Sequence, residues 1–162
     1  MKRYLLVLLG AAALAACVTQ AGAYFTARTS VADNVVTAGT VEVSAEPTSS
    51  ALSVPLIAPG QTVSKTLTVR NDGNLDSSVV ITAAKKAGYT DMYESLALRV
   101  VKGSESLYEG GLANLRTAPF VVAAGSATDL EFELSLPASA DDSLQGDYVR
   151  FTLYVDAEQV HP

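Results

Sequence analysis

The sequence predicts an all-β protein, an antiparallel, jelly-roll-like β-sandwich of about eight or nine strands that follows a signal peptide. Short runs rich in Val, Thr and Leu are separated by Gly, Pro, Asn and Asp at intervals of about 8–15 residues. Residues 130–136 alternate strictly, with Leu130 and Phe132 on one face and Glu131 and Glu133 on the other. Helical segments are too few and too short for a βαβ arrangement, so the sandwich is the predicted class.

The first residues have the three parts of an export signal. Lys2 and Arg3 form a basic start, and residues 4–16 are apolar and uncharged, a stretch too short to span a bilayer as a helix. Ala21 and Ala23 form a small-x-small cleavage site, after which Tyr24 becomes the first residue. The sequence therefore predicts a signal peptide over residues 1–23, one domain over residues 24–162, and a secreted protein at the cell surface or in an extracellular matrix.

A second processing site overlaps this signal. Leu14-Ala15-Ala16-Cys17 also fits a lipobox, in which Cys17 would be lipidated and would remain as the first residue. Cleavage after Ala23, lipidation at Cys17 and an uncleaved anchor are all open at this point. Membrane contact is expected only through the signal peptide or a lipidated Cys17.

Charge and cysteine content exclude several classes of partner and chemistry. The whole chain has a formal charge of −6, and loss of the two cations Lys2 and Arg3 with the signal takes it to −8. This acidic balance without a basic cluster argues against nucleic acid and anionic membranes as partners. No cysteine follows Cys17, so the domain has no disulfide and must be stabilised by packing.

The predicted elements follow from alternation and from the turn residues between the runs. The expected strands cover residues 40–45, 52–57, 63–70, 77–84, 96–101, 120–123, 130–136 and 147–155. Asn71-Asp72-Gly73-Asn74 is a strong turn signal, because these residues tolerate positive φ at low cost. Residues 90–95 start with Thr-Asp and predict a short helix, and residues 111–115 predict a single helical turn at most.

Few residues could carry catalysis or bind a metal. His161 is the only histidine and lies next to the C-terminus, and no zinc-protease, nucleophile-elbow or phosphate-loop motif is present. Zinc disfavours an all-carboxylate site, so we expect no enzyme activity and no cofactor. Asp141, Asp142 and Asp147 are weak Ca²⁺ candidates in one loop, and the favoured alternative is that Asp141-Asp142 caps a short helical turn or simply solvates the loop.

Three blocks of sequence resemble one family of exported bacterial proteins. Ala23-Tyr24-Phe25-Thr26, followed by Ala38-Gly39-Thr40-Val41-Glu42-Val43, resembles the start of the TasA/camelysin family. Ala58-Pro59-Gly60-Gln61, leading to Asn71-Asp72-Gly73-Asn74-Leu75, resembles the next block, a Pro-Gly turn before a strand that ends in Asn-x-Gly-x-Leu. Phe151-Thr152-Leu153-Tyr154-Val155 resembles the C-terminal strand of the family.

The resemblance implies a jelly-roll subunit of a biofilm-matrix or cell-surface fibre, released by a dedicated signal peptidase. It implies that residues 24–37 leave their own domain and complete the sheet of the next copy, a head-to-tail contact with self as partner. The apolar residues of this possible donor strand are Tyr24, Phe25, Val31, Val35 and Val36. The alternative is that the segment packs on its own sandwich as a first strand or short helix. Because an isolated subunit must place this segment somewhere, we expect both arrangements.

Two other functions remain as alternatives. The protein could be a lipid-anchored or secreted binding module that accompanies a fibre, with an accessory matrix or anchoring protein as partner. A camelysin-like metallopeptidase is the least favoured alternative, because the sequence offers no zinc site.

Overall fold

The computed structural model describes residues 26–30, 42–54 and 56–160, the first of these ranges by its backbone alone. Nine strands occur in the described chain, together with one α-helix and two short 3₁₀ turns at Leu112–Asn114 and Asp142–Leu144. The strands and helix in chain order are β1 (Thr26–Ser30), β2 (Val43–Glu46), β3 (Thr62–Asn71), β4 (Ser77–Gly88), α1 (Thr90–Ser95), β5 (Ala97–Lys102), β6 (Glu105–Gly111), β7 (Phe120–Val122), β8 (Ala127–Ser135) and β9 (Val149–Gln159). The predicted all-β class, the helix at 90–95 and the single turn within 111–115 are confirmed.

The strands form two antiparallel sheets with jelly-roll connectivity. One sheet has the order β1-β9-β4-β7, and the other has the order β2-β3-β8-β5-β6. From β3 onward every connection crosses between the sheets except the β5–β6 hairpin, which is the arrangement of two interlocked Greek keys. In the five-stranded sheet, β2 is an additional edge strand beside β3. In the four-stranded sheet, β9 is a central strand between β4 and the edge strand β1.

The core lies between the sheets and is formed by the apolar face of each alternating strand. In β8, Leu130 and Phe132 are fully buried whereas Glu131 is exposed, as the alternation predicts. β9 contributes Leu153 and Val155 to the same core. Because each strand has one apolar face, burial of that face fixes the register of both sheets.

Two elements differ from the sequence prediction. The expected strand at residues 52–57 is absent: its described residues form turns and irregular structure, because Pro55 and Pro59 have no N–H for a sheet ladder. Ala51 and Leu52 are nevertheless buried, so the apolar run marks contact with the core and not a strand. β6 was not predicted because its sequence is mostly polar or glycine, and it forms as the hairpin partner of β5.

Candidate functional site

The first strand lies at the edge of its sheet and pairs with β9. The antiparallel ladder runs from Thr26 opposite Glu158 to Ser30 opposite Tyr154. Of the two arrangements expected for the segment 24–37, the single chain therefore has residues 26–30 as the first strand of its own sandwich. β1 is a five-residue edge strand, so it has few hydrogen bonds to break.

The register of the β1–β9 ladder pairs two residues of opposite charge. Arg28 lies opposite Asp156 in this register. Along β9 itself, Val155 and Ala157 are buried, whereas Asp156 is half-buried and Glu158 is exposed. Over residues 155–158, one face of this strand therefore belongs to the core and the other is acidic.

β9 is longer than the ladder that it forms with β1. On its inner side β9 pairs with β4 from Val149 to Gln159. On its outer side the β1 ladder stops at Tyr154, and within the described residues no other strand pairs there with residues 149–153. Among the described residues, the first half of β9 is therefore paired on its β4 side alone.

An apolar groove of about 1170 Å³ lies beside this half of β9. Its walls come from β9, from the segment that joins β2 to β3, from α1 and from the loop before β9. The apolar lining includes Leu52, Ile57, Met92, Leu144, Val149 and Phe151. The volume exceeds the roughly 300–1,000 Å³ typical of small-molecule sites.

The wall opposite β9 is held by the Ala58-Pro59-Gly60-Gln61 turn. The side-chain Oε1 of Gln61 accepts a hydrogen bond from the N–H of Ala58 at 3.0 Å, and the N–H of Gly60 donates to the carbonyl oxygen of Leu136 at 2.7 Å. Gly60 has φ +80°, a conformation that L side chains rarely adopt. This family-like block is therefore a structural device that fixes one side of the groove.

The start of β9 is fixed by a close approach of two chain segments. Gly88 has φ +92°, and a Cβ there would overlap the carbonyl oxygen of Tyr148. The same carbonyl accepts a hydrogen bond of 2.9 Å from the N–H of Tyr89, and the two tyrosine rings meet edge to face at 6.0 Å. Both rings are more than half exposed, so this end of the groove carries an aromatic rim.

The turn between β3 and β4 is fixed by Asn71. Asn71 is fully buried, and its Nδ2 donates to the carbonyl oxygens of Leu75 and Val122 at 2.8 and 3.0 Å. Its Oδ1 accepts from the N–H of Gly73 at 3.0 Å. The Asn-x-Gly-x-Leu block therefore ties the β3–β4 turn to β7.

The loop carboxylates have structural partners. Asp141 accepts a hydrogen bond of 2.7 Å from the N–H of Ser143 and caps the 3₁₀ turn, as the favoured alternative predicted. The hydrogen bond from the backbone N–H of Ser143 lowers the pKa of Asp141. Across residues 26–30, 42–54 and 56–160, no three side chains from His, Cys, Asp and Glu, including Asp142 and Asp147, come together as a set that could hold a metal ion.

Several predicted site residues lie outside the described ranges. These are the cleavage residues Ala21, Ala23 and Tyr24, the lipidation candidate Cys17, His161, and the donor-strand residues Tyr24, Phe25, Val31, Val35 and Val36. Within the ranges that are described, no helix is long and apolar enough to cross a membrane. Processing and donor-strand exchange therefore remain predictions.

The fold and the two structural turns define the class of protein: an all-β jelly-roll sandwich with a short N-terminal edge strand. The sequence model of a family described as camelysin metallo-endopeptidase matches residues 1–95, more than half of the chain. The protein belongs to this family, the TasA/camelysin family, and the resemblance seen in the sequence is confirmed. The described residues do not fit the metal centre that the family description implies, because they contain no set of ligands for it.

Other comparisons add little. The solved structure "Crystal Structure of FLHE" has a TM-score of 0.36 and 11% identity, and the alignment covers 85% of this chain and 98% of that one. A likeness of that size supports no argument about function. No curated protein matches the chain significantly.

The sequence did not reveal the groove. The groove residues Leu52, Met92, Leu144 and Phe151 come from four separate parts of the chain, and nothing local in the sequence links them.

Proposed function

We propose that the protein is an exported structural subunit that assembles head-to-tail into extracellular fibres by exchanging β1 between copies. The fibres would belong to the cell surface or to a biofilm matrix. The observation that carries this proposal is that β1 is a short N-terminal edge strand whose ladder with β9 can form identically with the β1 of another copy. Membership in the TasA/camelysin family supports the same role.

Exchange is compatible with the connection that follows β1. Ser30 and Glu42 are twelve residues apart, and an extended chain of that length reaches about 40 Å. A connection of this length lets β1 leave its own β9 without disturbing β2. Every copy then offers one strand and accepts another, and such a heterologous contact repeats into an open filament.

Deletion of residues 24–36 tests this proposal directly. The truncated protein keeps eight strands and loses the strand that is donated, so we expect soluble monomer where the intact exported protein forms filaments by electron microscopy. A synthetic peptide of residues 24–37 should bind the truncated protein and cap it, because it restores the β1–β9 ladder.

The peptide also serves as the control for folding. If the truncated protein binds the peptide, its β9 edge is intact. Loss of assembly is then due to the missing strand and not to misfolding. Filaments grown from the truncated protein itself would refute the proposal.

A lipid-anchored accessory module is the second candidate, and the lipobox before Cys17 favours it. The intact mass of the exported protein separates the two candidates. A mass that starts at Tyr24 agrees with free fibre subunits, and a mass that starts at lipidated Cys17 indicates an anchored module.

A metallopeptidase is a third candidate because the family description names that activity. Casein hydrolysis that a chelator abolishes and that survives repurification would support it. We expect no such hydrolysis from the described residues, which provide no ligand set for zinc.

A further inference from the structure

We infer that the Asp72-Gly73 step in the β3–β4 turn is a site of isoaspartate formation, and that contacts of Arg70, Ser44 and Asn71 slow this reaction in the folded chain. Asp-Gly and Asn-Gly steps are the most prone to this change, because glycine leaves its own nitrogen unhindered. Asp72-Gly73 is the one such step in the whole sequence. The inference concerns the chemistry of the turn and does not depend on the proposed assembly.

The reaction needs no reagent other than water. The backbone nitrogen of Gly73 bonds to Cγ of Asp72 while the C–O bond of the protonated carboxyl breaks, and the N–H proton leaves with that hydroxyl as water. The product is a five-membered succinimide ring. Water then opens the ring, and breakage of the bond between the Gly73 nitrogen and the original main-chain carbonyl carbon leaves the chain running through Cγ, as an isoaspartate. No electrons are gained or lost, and the final mass equals the starting mass.

The attacking nitrogen is engaged by Asn71. The N–H of Gly73 donates to Oδ1 of Asn71 at 3.0 Å. Asn71 is fully buried, and its Nδ2 donates to the carbonyl oxygens of Leu75 and Val122. Because the amide of Asn71 is held through both its oxygen and its nitrogen, the Gly73 nitrogen has to break a fixed hydrogen bond before it can attack Cγ of Asp72.

The carboxyl group of Asp72 is held by two side chains, one on each oxygen. Nε of Arg70 donates to Oδ1, and Oγ of Ser44 donates to Oδ2 at 3.0 Å. The hydrogen bond from Arg70 lowers the pKa of Asp72, so this carboxyl stays charged. A charged carboxylate is a poor target for the nitrogen, because its oxygen leaves as water only after protonation.

The backbone on the N-terminal side of the step is tied to β2. The N–H of Asp72 donates to the carbonyl oxygen of Glu42 at 2.9 Å, and the β2–β3 ladder puts Ser44 directly opposite Arg70. Asn71 is the last residue of β3. The three slowing residues therefore lie on two paired strands, and they restrain the backbone rotation that ring closure requires.

Isoaspartate formation would loosen this turn. It adds one methylene to the main chain and shifts the Gly73 nitrogen relative to Oδ1 of Asn71. It also turns the Asp72 side chain into backbone, so the contacts with Arg70 and Ser44 are lost. The attachment of β2, a four-residue edge strand, is weakened at the same time.

Ageing of the intact exported protein at neutral pH tests the inference. Peptide mapping with electron-transfer fragmentation distinguishes the two isomers of equal mass at position 72. A synthetic peptide of residues 68–78, which lacks Ser44 and Val122, gives the unprotected rate. We expect the folded protein to react at least about tenfold more slowly than the peptide, the effect of a charge-assisted hydrogen bond that must first break. Equal rates would overturn the slowing, and a peptide that forms no isoaspartate would overturn the site.

Arg70→Leu and Arg99→Leu form a matched pair. Nη1 of Arg99 donates to Glu133 at 3.0 Å in a similar ion pair, and the arginine side chains are 54% exposed at position 70 and 42% exposed at position 99. We expect Arg70→Leu to raise the rate at position 72 roughly fivefold or more and Arg99→Leu to leave it unchanged. Arg70→Lys keeps a cation and should recover part of the slowing. Equal rates in the two leucine variants would overturn the role of Arg70.

Ser44→Ala and Asp72→Glu separate local chemistry from loss of folding. Ser44→Ala removes one hydrogen bond and should raise the rate about two- to fivefold with little change in thermal unfolding. Asp72→Glu keeps a carboxyl but allows only a six-membered ring, so isoaspartate should no longer form at this turn. Isoaspartate of equal amount elsewhere in the Asp72→Glu protein would overturn the assignment to this step. Rates that rise only in proportion to lost stability would overturn the local contacts as the cause.

Discussion

Asn71 shows how one buried polar side chain holds a turn between two sheets. It donates two hydrogen bonds and accepts one, and its replacement by alanine would leave the carbonyl oxygens of Leu75 and Val122 and the N–H of Gly73 without that partner. We expect Asn71→Ala to lower the free energy of unfolding by roughly 2–4 kcal/mol, measured by urea denaturation. Asn74→Ala, on the exposed side of the same turn, should change it by less than about 0.5 kcal/mol, and equal losses would contradict this role.

Gly88 allows the end of β4 to approach the residue before β9 closely, because it has no Cβ. Its positive φ and the overlap of any Cβ with the Tyr148 carbonyl oxygen predict that Gly88→Ala destabilises the fold by roughly 2–4 kcal/mol. Gly103, with φ +59° and open space around it, is the matched control, and Gly103→Ala should cost only about 1 kcal/mol. Thermal unfolding of the two variants makes the comparison, and a smaller loss for Gly88→Ala would refute the close approach.

Residue types alone predicted part of this picture. The turn at 71–74 follows from its Asn, Asp and Gly, because these residues accept turn conformations whatever surrounds them. The burial of Asn71 against Val122 and the contact of Gly88 with Tyr148 join residues about 50–60 positions apart, and local sequence preference carries no information about such pairs.

At the scale of strands, periodicity predicted which faces are buried, but not which strands pair. The alternation of 130–136 and 147–155 was sufficient to assign Phe132 and Leu153 to the core. The prediction of a strand at 52–57 was wrong because burial and strand formation are different properties. A run interrupted by proline can be buried without forming a strand. The pairing of β1 with residues 154–158 of β9 depends on a long-range register that periodicity does not define.

Hydrogen exchange can follow the β1–β9 ladder. Deletion of residues 24–36 removes the partner of residues 154–158 on the outer side of β9, so amides there that point away from β4 should exchange at least about tenfold faster than in the intact protein. The peptide of residues 24–37 should slow them again, because it restores the ladder. Amides of β8, a central strand in both forms, provide the internal reference, and exchange at 154–158 that does not respond to the deletion would contradict the ladder.

At the scale of the whole molecule, the described sandwich combines a closed core with a short edge strand, β1. The acidic charge of the chain disfavours aggregation through non-specific contacts, so the proposed assembly depends on specific pairing. The family and the all-β class were predictable because they depend on ordered motifs and on composition. The groove was not predictable, because its residues come together only in the folded chain.

Mixing two charge-reversed variants tests the central claim, pairing of β1 with the β9 of another copy, most directly. Arg28→Asp and Asp156→Arg each place like charges opposite one another, at a cost of up to about 2 kcal/mol, both in the closed chain and in a contact between identical copies. An equimolar mixture restores the Arg–Asp or Asp–Arg pair only in contacts between unlike copies, so electron microscopy should show filaments at a protein concentration roughly tenfold lower than either variant needs alone. The double variant, which restores the pair in any arrangement, should assemble like the unchanged protein; if it does and the mixture gains nothing over the single variants, β1 pairs only with its own chain and the account is wrong.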